Sequence, residues 1–371
     1  MRADSGQRSD AAAAGPLAGI RIVEFAGIGP GPFAGMLLSD MGADVVRVVR
    51  PGAPEVQADD FVNRGRVSVE LDLKSESDRE RALQLLAHAD ALIEGFRPKV
   101  MERNGLAPVA VFGVNPRLVY GRMTGWGQSG PLAQRAGHDI NYISLTGALA
   151  AIGTRDIPVP PLNLVGDYGG GSLYLVVGML AALLQAKISG KGQVVDAAMC
   201  DGTLSLLTPL FSLLQQGHWT TERQSNLLDG GAHFYGVYTC LDGKHVAVGP
   251  IEPQFYAILR EKLELEDALF DRQLDASQWP ELRKRLERVF LKRTRDEWCE
   301  MFNGTDGCVT PVLSFEEASS HPHLAARESF VFHNGFGQPA PAPRFSHTPS
   351  VIQASRGTVD LEEIFQRWKE S

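Results

Sequence analysis

The sequence predicts an α/β protein, a parallel sheet with helices on both faces, followed by a smaller α+β domain. Three observations carry that expectation. Apolar, β-branched runs alternate with helical stretches from residue 19 to about 127. After about residue 220 the character changes to a hairpin and charged amphipathic helices. The 371 residues, 44% hydrophobic, suffice for two domains with buried cores.

The elements follow in order. "GIRIVEF" (19–25) reads as a strand, "AGIGPGP" as a turn, 32–41 as a helix and "ADVVRVV" (43–49) as a second strand. Strand "RVSVELDL" (66–73), helix "SESDRERALQLLAHA" (75–89) and strand "DALIEGF" (90–96) come next, with Ser75 and Asp78 at capping-box spacing. "RLVYGRMTGWG" (117–127) is a further strand. "LYLVVGMLAALL" (173–184) is shorter than the about 20 residues a bilayer demands, so it reads as a buried helix and no membrane span is expected. "FYGVYTCLDGKHVAVGP" is a hairpin turning at Asp242–Gly243, and helices cover 278–294 and "TRDEWCEMF". The proline-rich "PAPAPRFSHTPS" (339–350) is an extended return to the first domain. The expected divisions are a disordered extension (1–15), a large α/β domain (16–224), a small α+β domain (225–330) and a returning segment (331–371).

Composition narrows the partners. Lys and Arg total 36 against 44 Asp and Glu, for a net charge of −8, and the two signs are interspersed. No basic stripe stands out, so nucleic acid is not an expected partner. Cys200, Cys240, Cys299 and Cys308 show no metal spacing, and "HPH" (321–323) beside Cys308 matches no zinc pattern. No metal is therefore expected. Reduced thiols and an N-terminus lacking an apolar run point to the cytoplasm.

The first glycine loop, Gly29-x-Gly31-x-x-Ala34, follows a strand and opens a helix, as a dinucleotide fingerprint does. An NAD site also asks for a carboxylate about 20 residues on. Arg47 and Arg50 stand there instead, which suits a phosphate, and Pro30 and Pro32 remove N–H donors from the loop. An NADP-dependent oxidoreductase is thus a distant alternative, and a tight turn packing helix on strand is the simpler reading. Lys74, Arg97 and Arg103 also stand at or just after strand ends. Ligands of open parallel sheets bind there, and with Arg50 these cations fit a polyphosphate.

Two polar features remain. "GHDINY" (137–142) sets His138 beside Asp139 at a helix start, as a cap or as a proton-transfer group. Asp167 precedes Gly169, Gly170 and Gly171 and a buried helix, as a cap or at a ligand approach. An imidazole and a carboxylate on opposite faces of one carbon can invert it without a cofactor if a neighbouring carbonyl, such as a thioester, acidifies the proton. His233 reads as structural, Asp139 as a cap or ligand-facing group, and Tyr168 as packing.

Together, "PLAGIRIVEFAGIGPGPFAGMLLSDMGADVVRVVRPG", "RMTGWGQSGP", "GHDINYISLTGAL", "VGDYGGGSLYLVVGMLAALL" and "DGGAHFYGVYTCLDGKHVAVGPIEPQFY" resemble family III CoA-transferases, and within them the racemase branch. The likeness runs over about residues 16–365. It implies a Rossmann-like large domain completed by the C-terminal segment, and a small α+β domain. It also implies an interlocked homodimer whose active site lies at the subunit interface. The implied bases are His138 and Asp167, supported by Glu252, acting on an acyl-CoA thioester. CoA contacts carry over to Arg50, to Leu71, Asp72, Leu73 and Lys74, to Gly95, Phe96 and Arg97, to Arg103, and to Gly137, Asp139, Ile140, Asn141 and Tyr142. The implied reaction is inversion at the α-carbon of a 2-methylacyl-CoA through an enolate. The alternative within the family is CoA transfer between carboxylic acids through an anhydride on Asp167. His138 favours inversion, because the transferases lack that histidine.

Overall fold

The computed structural model describes residues 15–333 and 335–370. All but Gly15 of the expected N-terminal extension lies outside the described residues. The chain forms two compact units. One runs to Thr146 and adds Leu162–Leu206 and everything from Glu328 on; the other holds Gly147–Pro161 and Leu207–Arg327. The chain thus changes unit at Leu206–Leu207, earlier than the expected 224–225, and residues 147–161 join the second unit as well.

The first unit is built on six parallel strands: β1 (Arg21–Phe25), β2 (Asp44–Val49), β3 (Val67–Glu70), β4 (Ala91–Glu94), β5 (Val119–Thr124) and β6 (Val194–Ala198). Their order is β3-β2-β1-β4-β5-β6, so the winding reverses between β1 and β4. Beyond the carboxyl ends of the strands, that reversal opens a crevice where ligands of such sheets bind.

Side-chain alternation gives the sheet two apolar faces. Ile22, Val45, Ile93 and Val119 pack with helix α1 (Pro30–Asp40) and the long helix Leu173–Ser189. Val23, Val46, Leu92 and Tyr120 pack with α2 (Glu76–Ala87) and with the last helix, Leu361–Glu370, through Leu361, Ile364 and Trp368. The returning segment also lies along the edge of β3, where the Ser68 N–H donates to Gly357 O at 2.8 Å and the Val359 N–H to Ser68 O at 2.9 Å. An open sheet edge is thereby covered.

Four expectations change. Helix α1 begins at Pro30 rather than Pro32, because proline lacks only an N–H that the first turn leaves unbonded. Strand β3 stops at Glu70, because residues 71–74 turn. In that turn Asp78 accepts from the Asp72 N–H at 2.8 Å, so no capping box forms with Ser75, whose hydroxyl pairs with Ser77 at 2.8 Å. The apolar run also belongs to a longer helix, Leu164–Ser189, which by length and composition alone could cross a membrane. Leu175, Val176, Met179, Ala182, Leu183 and Ala186 bury one face of it in the first unit, while Val177, Leu184 and Ile188 are exposed.

The second unit holds an antiparallel sheet, β7 (Gly236–Thr239), β8 (His245–Val248) and β9 (Val309–Pro311). Gly243 turns the hairpin at φ +75°. Helices Trp279–Phe290 and Arg295–Phe302 add Trp279, Leu282, Leu286, Phe290 and Trp298 to a core with Phe234 and Tyr238. Thr294 and Glu297 make the capping box for the second of these.

Candidate active site

The crevice of the first unit is a cleft of about 530 Å³. Its walls are the β1–α1 loop, the segment after β4, the end of β5 with Trp126, and Ala133, residues 135–138 and Tyr142, with Asp167. A volume of that size suits a small ligand or the reacting end of a larger one.

Asp167 lies in a wide-turned, π-helical stretch, Leu164–Ser172, that runs into the long helix. Such insertions recur at functional sites. Gly170 and Gly171 make it possible: a Cβ on Gly170 would meet Thr203 Oγ1 at 2.6 Å, and one on Gly171 would meet the Met199 side chain at 2.9 Å. Close packing, rather than anion binding, accounts for these two glycines. The Ser172 hydroxyl ties the stretch to α1 by donating to Pro30 O at 2.7 Å. Asn163 Nδ2 donates to Asp167 Oδ2 at 3.2 Å. Burial raises the Asp167 carboxyl above the ordinary aspartate range; the Asn163 hydrogen bond opposes this, nearby Asp139 adds to it, and His138 opposes it. A carboxyl so raised is easier to keep protonated as an acid.

His138 is the residue before helix α3 (Asp139–Leu145), exposed and facing the cleft. Its backbone N–H donates to Asn141 Oδ1 at 3.1 Å, one arm of the capping box that starts the helix. Asp139 turns inward and is buried. Tyr142 packs edge-on to Trp126, with centroids 4.7 Å apart, and donates its hydroxyl to Gly137 O. Burial raises the Tyr142 hydroxyl pKa, so the phenol stays neutral. A Cβ on Gly125 would fall 2.0 Å from the Tyr142 ring, so this packing demands glycine there.

The expected ligand contacts divide. Gly95, Phe96, Arg97, Gly137 and Tyr142 line the cleft with the two candidate bases. Arg50, directly after β2, and Arg103 are exposed and lie outside its lining, as do Ile140 and Asn141 on α3. In the turn after β3, Asp72 and Lys74 are exposed and Leu73 is half-buried. Leu71 is a core residue at 2% exposure, so only its backbone can face a ligand. Glu252 belongs to the second unit, exposed just before the helix Pro253–Lys262. Asn163 and Trp126 escaped the sequence reading; an asparagine four residues before Asp167, one helical turn away, was the available signal for the first.

The remaining polar residues have structural roles. His233 is fully buried with Nε2 2.7 Å from the Tyr256 hydroxyl, and burial pushes its pKa down to about 3. Tyr168 stacks at a tilt on Phe33, centroids 4.6 Å apart. Among the described residues no three His, Cys, Asp or Glu side chains gather as a metal site would require.

The glycine loop can now be weighed. Gly29 has φ +68°, and a Cβ there would stand 3.3 Å from Asp167 Oδ2. A carboxylate therefore occupies the mouth of the loop where a pyrophosphate would need positive potential. A doubly wound α/β protein with an imidazole and a raised carboxyl in its crevice is of the class that moves protons or acyl groups. The family profile described as CoA-transferase family III matches residues 17–358, and the chain belongs to that family.

Its relatives include alpha-methylacyl-CoA racemase of Mus musculus, 46% identical over 92% of this chain and 89% of that protein. The Homo sapiens enzyme of the same name is 44% identical with the same coverage. Acetyl-CoA:oxalate CoA-transferase of Acetobacter aceti is 29% identical over 88% of each. A CAIB/BAIF family protein from Brucella suis has the same fold, with a TM-score of 0.79 over 96% of this chain and 100% of that one at 24% identity.

Proposed function

We propose that this protein is an isomerase of the alpha-methylacyl-CoA racemase type, inverting the α-carbon of 2-methylacyl-CoA thioesters by 1,1-proton transfer. The observation that carries the reading is the presence of His138 and a raised Asp167 carboxyl in one cleft, in a chain 46% identical to a racemase. One group takes the α-proton as the C–H electron pair moves into the thioester carbonyl to form an enolate. The other then delivers a proton to the opposite face, and the electron pair returns to form the new C–H bond. The roles exchange with substrate configuration. The thioester carbonyl itself acidifies the proton, so the chemistry calls for no cofactor. Each acid–base group typically contributes about 10²–10⁴-fold.

In this reading the CoA phosphates meet cations at the carboxyl edge of the sheet, namely Arg97 at the cleft and Arg50, Lys74 and Arg103 beyond its rim. Glu252 serves as a supporting acid. A homodimer and a cytoplasmic location belong to the same proposal, to be read by light scattering and by cell fractionation.

The test is to incubate one enantiomer of a 2-methylacyl-CoA in D₂O. Incorporation of α-deuterium with inversion is expected, with loss in His138→Ala and in Asp167→Asn. No deuterium, or full exchange in His138→Ala, overturns the two-base scheme. Transfer of CoA to an added carboxylic acid, with an Asp167 anhydride trapped by hydroxylamine, would favour the transferase alternative.

A further inference from the structure

We propose that Asp139 is a positioning residue for Asp167, and that it joins the two bases into one mechanical unit. This rests on the racemase reading above. Its basis is a single short connection: Asp139 Oδ1 accepts the backbone N–H of Asp167 at 2.7 Å.

The connection answers a need created by the local fold. In a π-helix each N–H bonds five residues back, so the opening N–H groups have no partner within the helix. The stretch begins at Leu164, and its first such bond is from the Tyr168 N–H to Asn163 O at 3.3 Å. The Asp167 N–H, one residue earlier, must find an acceptor elsewhere, and the Asp139 carboxylate supplies it. Asp139 is 8% exposed, so water does not compete freely for the bond. The backbone is shaped for the approach, since a Cβ on Gly166 would fall 2.3 Å from Asp139 Oδ1.

His138 is the preceding residue. The imidazole that faces the cleft and the carboxylate beneath the opposing base are therefore adjacent along the backbone. The path from one base to the other is the His138–Asp139 peptide, the Asp139 side chain and one hydrogen bond. Asn163 fixes Asp167 at its other end, through Oδ2. Two bases that must face one carbon from opposite sides need a fixed separation, and this link provides it. Asp139 thus acts through Asp167 and need not touch the substrate.

Asp139→Ala removes the acceptor, whereas Asp139→Asn keeps an acceptor oxygen and removes the charge. In the alanine variant kcat for inversion is expected to fall about 10–100-fold. KM should stay within about threefold, the split expected when ground-state binding is untouched. Inversion should fall more than α-deuterium exchange, because one base can still exchange a proton on its own face. The asparagine variant should return to within about threefold of the parent rate.

Wild-type kinetics in Asp139→Ala overturns the proposal, as does a raised KM with kcat retained, the signature of a CoA contact. Equal damage in both variants also overturns it. If the alanine variant does not fold, the asparagine variant decides alone: a loss of tenfold or more, about 1.4 kcal/mol, refutes the hydrogen-bond link. An unaltered protein that exchanges no α-proton defeats the racemase reading instead. Amide exchange then still reads the link, because the Asp167 N–H should be protected in the parent and in Asp139→Asn but exposed in Asp139→Ala.

Discussion

Arg122 Nε donates to Glu94 Oε1 at 2.8 Å, directly across the paired strands β4 and β5, with both side chains buried. Nη2 of the same guanidinium reaches Glu102 at 2.8 Å, and the other Glu94 oxygen accepts the Phe96 N–H at 2.8 Å. The segment 95–97, which borders the cleft, is thereby anchored to the sheet through a carboxylate. Burial raises the Glu94 carboxyl, and Arg122 opposes that rise. Arg122→Met would leave Glu94 buried without its partner, an event that typically costs about 3–5 kcal/mol. Urea unfolding is expected to show that loss, and the double variant Glu94→Gln/Arg122→Met to recover most of it. A single variant as stable as the parent would contradict the assignment.

Gly29 offers a second test. Its φ of +68° with ψ −118° lies where side-chain-bearing residues are strained, at roughly 1–3 kcal/mol. An alanine there would also crowd the Asp167 carboxylate. Gly29→Ala is expected to lower the melting temperature and to cut α-proton exchange by up to about 10²-fold. Full exchange in a destabilised variant would show that the close approach has no bearing on the chemistry.

Asp167 carries a stability cost with a defined sign. Its folded carboxyl is raised, so the folded state holds the proton more tightly than the unfolded state does. Stability is therefore undiminished below the unfolded aspartate pKa of about 3.9 and declines as pH rises through the folded value. Asp167→Asn removes the charge that causes the decline. Thermal melts should find the variant more stable than the parent at neutral pH, with the gap closing below about pH 4. A gap that widens in acid would reverse the argument.

The last helix gives a fourth expectation. Trp368 is 3% exposed and donates Nε1 to Asp44 Oδ2 at 2.7 Å. Trp368→Ala empties a core position and is expected to cost about 3–5 kcal/mol. Trp368→Phe keeps most of the packing and should cost on the order of 1 kcal/mol for the lost hydrogen bond. Chemical denaturation separates the two, and equal losses would mean the ring contributes little.

Strands β1, β2, β4 and β5 were legible because buried parallel strands are continuous apolar runs, as in "RIVEF" and "DVVRVV". Strand β3 was overextended, because "LDLK" looks apolar and alternating although its turn is set by the distant carboxylate of Asp78. The π-helical stretch was invisible: three glycines suggest a loop, and only the packing of Gly170 against Thr203 and of Gly171 against Met199 accounts for a helical path there. His138 and Asp167 were found as residues, but the link between them was not. It depends on a hydrogen bond spanning 28 positions, which no local pattern records.

The returning C-terminal segment has a consequence for biosynthesis. The six-stranded sheet is complete in sequence at Ala198, yet one of its faces lacks Leu361, Ile364 and Trp368 until more than 160 further residues have been made. All of Leu207–Arg327 emerges in between, carrying its own core. At typical synthesis rates of about 5–20 residues per second, the first unit waits on the order of ten seconds with an uncovered apolar face. Its folding order on the ribosome is therefore inverted: the unit that starts first finishes last, and the interval is when chaperones would be needed most.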